Sequence, residues 1–367
     1  MTNLRKSFGW VLLISAMIGL VFAFFRTSAD RAETMVQGRP LSAWVRELGN
    51  PNLEATNRTR ARETLAAQRP TIIPELLAWR DSSVRAPFDK LSAEFGRMTG
   101  MIGQPFNPSI AKGELLSVVS QIAQKNNMAF ERRPEFQACA DQLLQQLKAD
   151  PANKNIFFWA IGAFGVNATN ALPTLIASLP TTFSTTNFPH AMLLHAIAEI
   201  GPGPYSQQVI PAATNLLSSS KDTYTALRAL GACGTNAQPF IPQLVEIVEA
   251  HEEHTRTALG ALAQLGPLPK ELKPFLAERM DRGSWAGPAA VAMLQIDSKE
   301  PTALNIVQAR LHPLAGGDHV EMMQLLSRVP SVAKLFVPDL EKLASKTNEP
   351  TSYLARQILR GTANEAR

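Results

Sequence analysis

Charge is scarce in this chain. Asp, Glu, Lys and Arg make up 18% of its 367 residues, below the quarter usual in soluble domains, so the surface leans on Ser, Thr, Asn and Gln. Cysteine is scarcer still, with Cys139 and Cys233 the whole inventory. Two thiols 94 residues apart give no zinc-site spacing. In apolar helical surroundings they read as small buried hydrophobes; a disulfide would need an oxidising compartment and has no support from the spacing. Strand-like alternation and hairpin turn signals are absent, so almost no β structure is expected. A Gly-rich phosphate loop, a Gly-x-Ser-x-Gly elbow and a paired-carboxylate site are absent too.

A one-signed charge field is also missing. The net charge is +5, but residues 151–367 hold 17 Lys plus Arg against 17 Asp plus Glu. Residues 26–150 hold 17 against 14, and Arg5 and Lys6 supply the remaining +2. Phosphate binding needs a basic stripe, so a nucleic-acid partner is not expected. Arg58, Arg60 and Arg62 form the one local basic cluster, read as a solvated helix face close to a membrane or as a contact for anionic headgroups. The deepest gap lies at residues 155–220, where Glu199 is the only formally charged side chain. Such depletion matches either the centre of a protein–protein interface or a neutral extracytoplasmic surface.

What the chain does have begins at Phe8–Phe25, eighteen residues without a charge. As a helix this run spans about 27 Å, close to a bilayer core. Arg5 and Lys6 precede it, Arg26 follows, and Trp10 sits near one end, where indole favours the interface. Residues 1–26 are therefore read as an uncleaved signal anchor, with Phe8, Trp10, Phe24 and Phe25 in the span. A cleaved signal ending at Val21-Phe22-Ala23 or Thr27-Ser28-Ala29 is the alternative. Residues 27–38 are a connector.

From Asn155 to Met280 one unit recurs: an apolar helix ending in Gly, a short turn, a Pro, and a second apolar helix. Taking Pro173, Pro211, Pro242 and Pro274 as the starts of second helices gives spacings of 38, 31 and 32 residues. Gly165, Gly234 and Gly266 each lie eight residues before such a proline, and Gly201 ten before. Gly ends a helix in the left-handed conformation, and Pro presets the first turn of the next. Second helices carry stripes such as Leu172, Leu175, Ile176, Leu179 and Ile241, Leu244, Val245, Val248. First helices do so with Ile156, Ala160, Ile161, Phe164 and with Leu193, Ile197, Ile200. A short hairpin cannot bury both faces alone, so neighbouring copies must cover it.

The Gly–turn–Pro–x-Leu pattern resembles HEAT repeats, including short bacterial units once named after phycobilisome lyases. The resemblance covers about Asn155 to Ser345, and more loosely Pro51 to Trp79. It implies an all-α fold, an α-solenoid superhelix of about six helical hairpins behind one transmembrane helix, whose concave face holds other proteins. Tetratricopeptide positions are absent. The phrase Gly38-Arg39-Pro40-Leu41-Ser42-x-Trp44 resembles the lead-in to HEAT units in some membrane-anchored bacterial proteins. With the short basic tail inside, either reading of residues 1–26 sends the repeats outside the cytoplasm: periplasmic on a single-pass bacterial inner-membrane anchor, or secreted if the signal is cleaved.

In chain order, Leu41, Trp44, Val45 and Leu48 form a capping helix, and Arg58–Gln68 with Ile72–Trp79 a first hairpin. Residues 39–150 continue as degenerate repeats or as a helical insertion, with helices expected at Phe88–Phe95, after Asn107-Pro108 and at Pro134-Glu135. The array proper is 151–361, with Asp297 replacing a capping Gly, and 362–367 is a frayed tail.

The expected activity is that of a non-enzymatic scaffold for another protein, its second helices lining the groove. Extra residues bulge at Thr181–Pro189, so Phe183 and Phe188 are candidate contact residues, with His190, His195 and Tyr205; packing into the stack is the plainer role for the two Phe. His195 and Glu199, four apart, make a local pair. His251-Glu252-Glu253-His254 has its histidines three apart, not the four of a zincin helix. Among enzymatic relatives, the HEAT-repeat iron hydroxylase would imply several His-Glu dipeptides, and this chain has one, His251-Glu252. A bilin lyase leaves no diagnostic residue to find. No catalytic residue, metal, cofactor or small-molecule substrate is expected; an enzyme on this fold and a lipid-surface module remain the alternatives.

Overall fold

The computed structural model describes residues 34–81, 108–126, 128–129, 132–150, 154–179, 188–218, 222–281, 283–312, 317–346 and 350–364. The expected span with Phe8, Trp10, Phe24 and Phe25 lies outside these residues, as do the helix expected around Phe88 and the side chain of Phe183. Among the described residues no helix is long and apolar enough to cross a membrane. The described chain is all-α apart from one short hairpin, and it falls into two compact units.

In the first unit, β1 (Met35–Val36) pairs antiparallel with β2 (Arg39–Pro40), Val36 opposite Arg39. This hairpin is the little β structure among the described residues, in keeping with the sequence, and two-residue strands are too short to show alternation. Gln37 at φ 49° and Gly38 at φ 74° form a turn whose twist suits paired strands. α1 (Leu41–Leu48) buries Leu41, Trp44, Val45 and Leu48, the face read from the sequence. Trp44 Nε1 donates to the Val36 carbonyl at 3.0 Å, and the Arg39 guanidinium lies 4.3 Å over the indole. In α2 (Ala55–Ala66), Arg62 donates twice to the Glu114 carboxylate, at 2.8 and 2.9 Å. One arginine of the basic cluster is thus committed within the fold.

The second unit holds α3 (Ile73–Asp81), α5 (Pro134–Ala149) and most of α4 (Pro108–Lys125); α4 and α5 start where Pro108 and Pro134 indicated. Then come paired helices: α6 (Lys154–Gly162) with α7 (Leu172–Ala177), α8 (Phe188–Ile200) with α9 (Ser206–Ser218), α10 (Thr223–Ala232) with α11 (Ile241–Ala250) and α12 (Glu252–Gln264) with α13 (Lys273–Met280). After these, α14 (Ala286–Ile296) pairs with α15 (Pro301–Leu311), and α16 (Gly317–Arg328) with α17 (Pro330–Ala333) and α18 (Val337–Ala344); α19 (Pro350–Asn364) closes the unit.

Gly165, Gly201, Gly234 and Gly266 all have positive φ, the helix-ending conformation their spacing implied. Pro173, Pro242 and Pro274 occupy the first turn of their helices. Pro211 does not. It lies inside α9, which starts five residues earlier. Pro202 and Pro204 already turn the chain into a 3₁₀ segment at Gly203–Tyr205, so Pro211 forgoes one helical bond instead of opening the helix.

First helices pack on one another along the array. α6 packs on α8, α8 on α10, α10 on α12 and α12 on α14. Second helices α9, α11 and α13 pack on the first helix that follows them. Small residues explain the close approach. A Cβ on Gly162 would lie 2.9 Å from Ala196 Cα, and one on Gly231 3.0 Å from Ala261 Cα. Counted back from the capping glycine, both contacts join the third residue of one first helix to the fifth of its neighbour. Both helices of a hairpin bury large side chains: Phe157 and Ile161 on α6, Leu244, Ile247 and Val248 on α11. Two ion pairs join first helices that are not neighbours in the stack: Arg256 with Glu321, and Arg328 with Glu199.

Candidate functional site

Aligning the first helices on their capping glycines places Trp159, His195 and Arg228 at one register position, six residues before Gly165, Gly201 and Gly234. On successive parallel helices these side chains become neighbours. Trp159 stacks on His195, ring centroids 5.7 Å apart and planes 25° apart. One turn along α8, Glu199 Oε2 accepts from Arg328 Nη2 at 2.8 Å, and Oε1 faces Arg228 in a second ion pair. One turn back along α10, the Tyr224 hydroxyl accepts from Arg228 Nη1 at 2.7 Å. Asp222 caps α10, accepting from the Thr225 amide at 3.0 Å and its hydroxyl at 2.9 Å.

The cluster is polar at its base and aromatic at its rim. The Glu199 side chain is 15% exposed, whereas Trp159 is 38% and Tyr224 48% exposed. Burial lowers the His195 pKa, outweighing the attraction of Glu199, and Arg228 and Arg328 lower it further; His195 is the neutral imidazole at pH 7. Burial would raise the Glu199 pKa, but Arg328 first and Arg228 second hold it below the ordinary carboxylate value. A carboxylate shared between two guanidiniums is fixed as an anion.

The thiols are buried and unpaired in a disulfide. Burial pushes Cys139 to about 11 and Cys233 to about 12, so both are protonated and poorly nucleophilic. The His251 and His254 rings lie 6.2 Å apart, each 3.8 Å from Glu253 Oε1. Among the described residues no group of three His, Cys, Asp or Glu side chains converges as a metal site would require.

Of the residues singled out from sequence, His195 stands in this cluster. Phe188 and His190 lie in the first turn of α8, and their side chains fall outside the description. Tyr205 sits in the turn beyond the opposite end of α8. Trp159, Tyr224, Arg228 and Arg328 were not anticipated. For three of them the signal was present: the shared offset from the capping glycine marks Trp159 and Arg228, and Tyr224 is one turn from Arg228. Arg328 gives no local cue. No protein-family model matches the chain, and no curated protein does.

Proposed function

We propose that this chain is a HEAT-type α-solenoid that serves as a non-enzymatic scaffold, binding another protein on the face formed by its first helices. The observation supporting it is the register of Trp159, His195 and Arg228 on three consecutive first helices, with Trp159 and Tyr224 exposed above a fixed ion cluster. Tryptophan, tyrosine and arginine are the side chains that dominate binding energy at protein interfaces. The flanking charge-poor stretch, residues 155–220, fits an interface centre, where charged groups are depleted. Residues 8–25 anchor the scaffold in a bacterial inner membrane, with the repeats on the periplasmic side. Confinement to two dimensions then raises the local concentration of array and partner.

Affinity capture from native membranes tests this reading. The Trp159→Ala, Tyr224→Ala double variant should lose the partner recovered with the wild type, each truncation costing about 2 kcal/mol or about thirtyfold in affinity. Recovery equal to wild type would place binding elsewhere.

A further inference from the structure

The turns at the ends of these hairpins enclose a groove that the first-helix face does not use. Gln207 at the start of α9, the turn from Thr235 to Ile241 and the turn from Pro267 to Pro269 line an open cavity of about 690 Å³, a volume typical of ligand sites. No lining side chain is charged. Ile241 and Leu268, both buried, form an apolar floor. Pro239, Pro267 and Pro269 have no N–H to offer, which limits the backbone donors of the lining.

Those side chains are held in place. Gln207 Nε2 donates to Asn236 Oδ1 at 3.2 Å, and Gln238 Nε2 donates to the Leu265 and Pro267 carbonyls at 3.3 and 3.0 Å. The bonds fix the amides and leave four groups without a hydrogen-bond partner among the described residues. These are the Gln207 and Gln238 oxygens, the Asn236 amide nitrogen and the Thr235 hydroxyl. Two fixed acceptors, one donor and one hydroxyl over an apolar floor match a polypeptide backbone, which presents both N–H and C=O along each few ångströms of extended chain. A charged ligand would lose hydration with no counter-charge in the lining. A purely apolar ligand would leave the four polar groups unpaired.

We propose that this groove binds an extended, uncharged peptide segment, seating one apolar side chain over Ile241 and Leu268 and pairing its backbone with the free amide groups. It is a second surface, independent of the first-helix face. The test pans a random dodecapeptide library against the immobilised full chain and measures the enriched peptides by fluorescence anisotropy. Asn236→Asp is the decisive variant, because it keeps the acceptor for Gln207, removes the free donor and introduces charge at an exposed position. Expected are enriched peptides with uncharged cores, a loss of about tenfold or more in affinity for Asn236→Asp, and less than about a twofold change in Kd on a tenfold rise in salt. Enrichment of charged peptides, no enrichment, or wild-type affinity in a folded Asn236→Asp protein would each overturn the proposal. The variant leaves Trp159, Tyr224 and Arg228 untouched, so its outcome is separable from the fate of the first-helix reading.

Discussion

Glu199 and Arg328 are 129 residues apart in sequence, yet Oε2 of one accepts from Nη2 of the other at 2.8 Å. Arg228 completes the arrangement, so one carboxylate ties α8, α10 and α16 together. In a stretch otherwise free of formal charge, this is the charge that is kept. A carboxylate removed from between two arginines leaves them repelling each other in a half-buried site. Glu199→Gln should therefore cost about 3 kcal/mol, read by urea denaturation. Replacing Glu199 and Arg328 together should cost less than the sum of the single variants, the mark of a direct interaction. Additive effects would mean the pair does not couple the helices.

The same carboxylate sets an acid limit. Its folded pKa lies below the ordinary 4.5, so the unfolded chain takes up the proton first. The stabilisation is complete above about pH 4.5 and is lost as pH falls through the lower folded value. Glu199→Gln should flatten that part of the stability profile, and an unchanged profile would assign the acid loss to other groups.

His195 acts at higher pH. Its folded pKa is held below the ordinary 6.5, chiefly by burial, so the unfolded chain again binds the proton more readily. Stability should fall as pH drops below about 6.5. His195→Phe keeps an aromatic partner for Trp159 and should lose this decline between about pH 7 and pH 5, as followed by thermal unfolding.

Two glycines of similar sequence context should respond in opposite ways to alanine. At Gly231 the new Cβ would meet the Ala261 backbone at 3.0 Å, and the overpacking should cost about 1–3 kcal/mol. Gly260 lies within α12 with nothing within 4 Å of the added carbon, so Gly260→Ala should stabilise by up to about 1 kcal/mol. Equal effects at the two positions would remove the close approach of first helices as a structural determinant.

Asn167 is a hidden pin. It is 3% exposed, donates to the Met128 and Phe164 carbonyls at 2.7 and 3.2 Å, and accepts from the Arg133 amide at 3.0 Å. Asn167→Ala strands those buried groups and should cost about 2–3 kcal/mol. Increased amide exchange at Met128, Ala129 and Arg133 would accompany the loss; exchange unchanged there would contradict the assignment.

What the sequence makes legible is what short-range chemistry determines. The capping glycines, the prolines of first turns and the apolar faces of α1 and the array helices follow from spacing within one or two turns. Pro211 misled because Pro202 and Pro204, closer to the turn, start the helix before it. The β1–β2 hairpin was illegible for want of length, and Asn167 because two of its three partners, Met128 and Arg133, lie over thirty residues upstream. The ion cluster divides along the same line. Trp159, His195 and Arg228 share an offset from their glycines and were open to alignment, whereas Arg328 meets Glu199 across 129 residues of sequence.

The most direct test of a binding surface on the first helices is photocrosslinking in native membranes. A photoreactive side chain at Trp159 or Tyr224 should trap the same partner, while one at Glu246, exposed on the second helix α11, should not. Crosslinking at Glu246 equal to that at Trp159, or none at Trp159 and Tyr224 while the partner still co-purifies, would contradict the assignment.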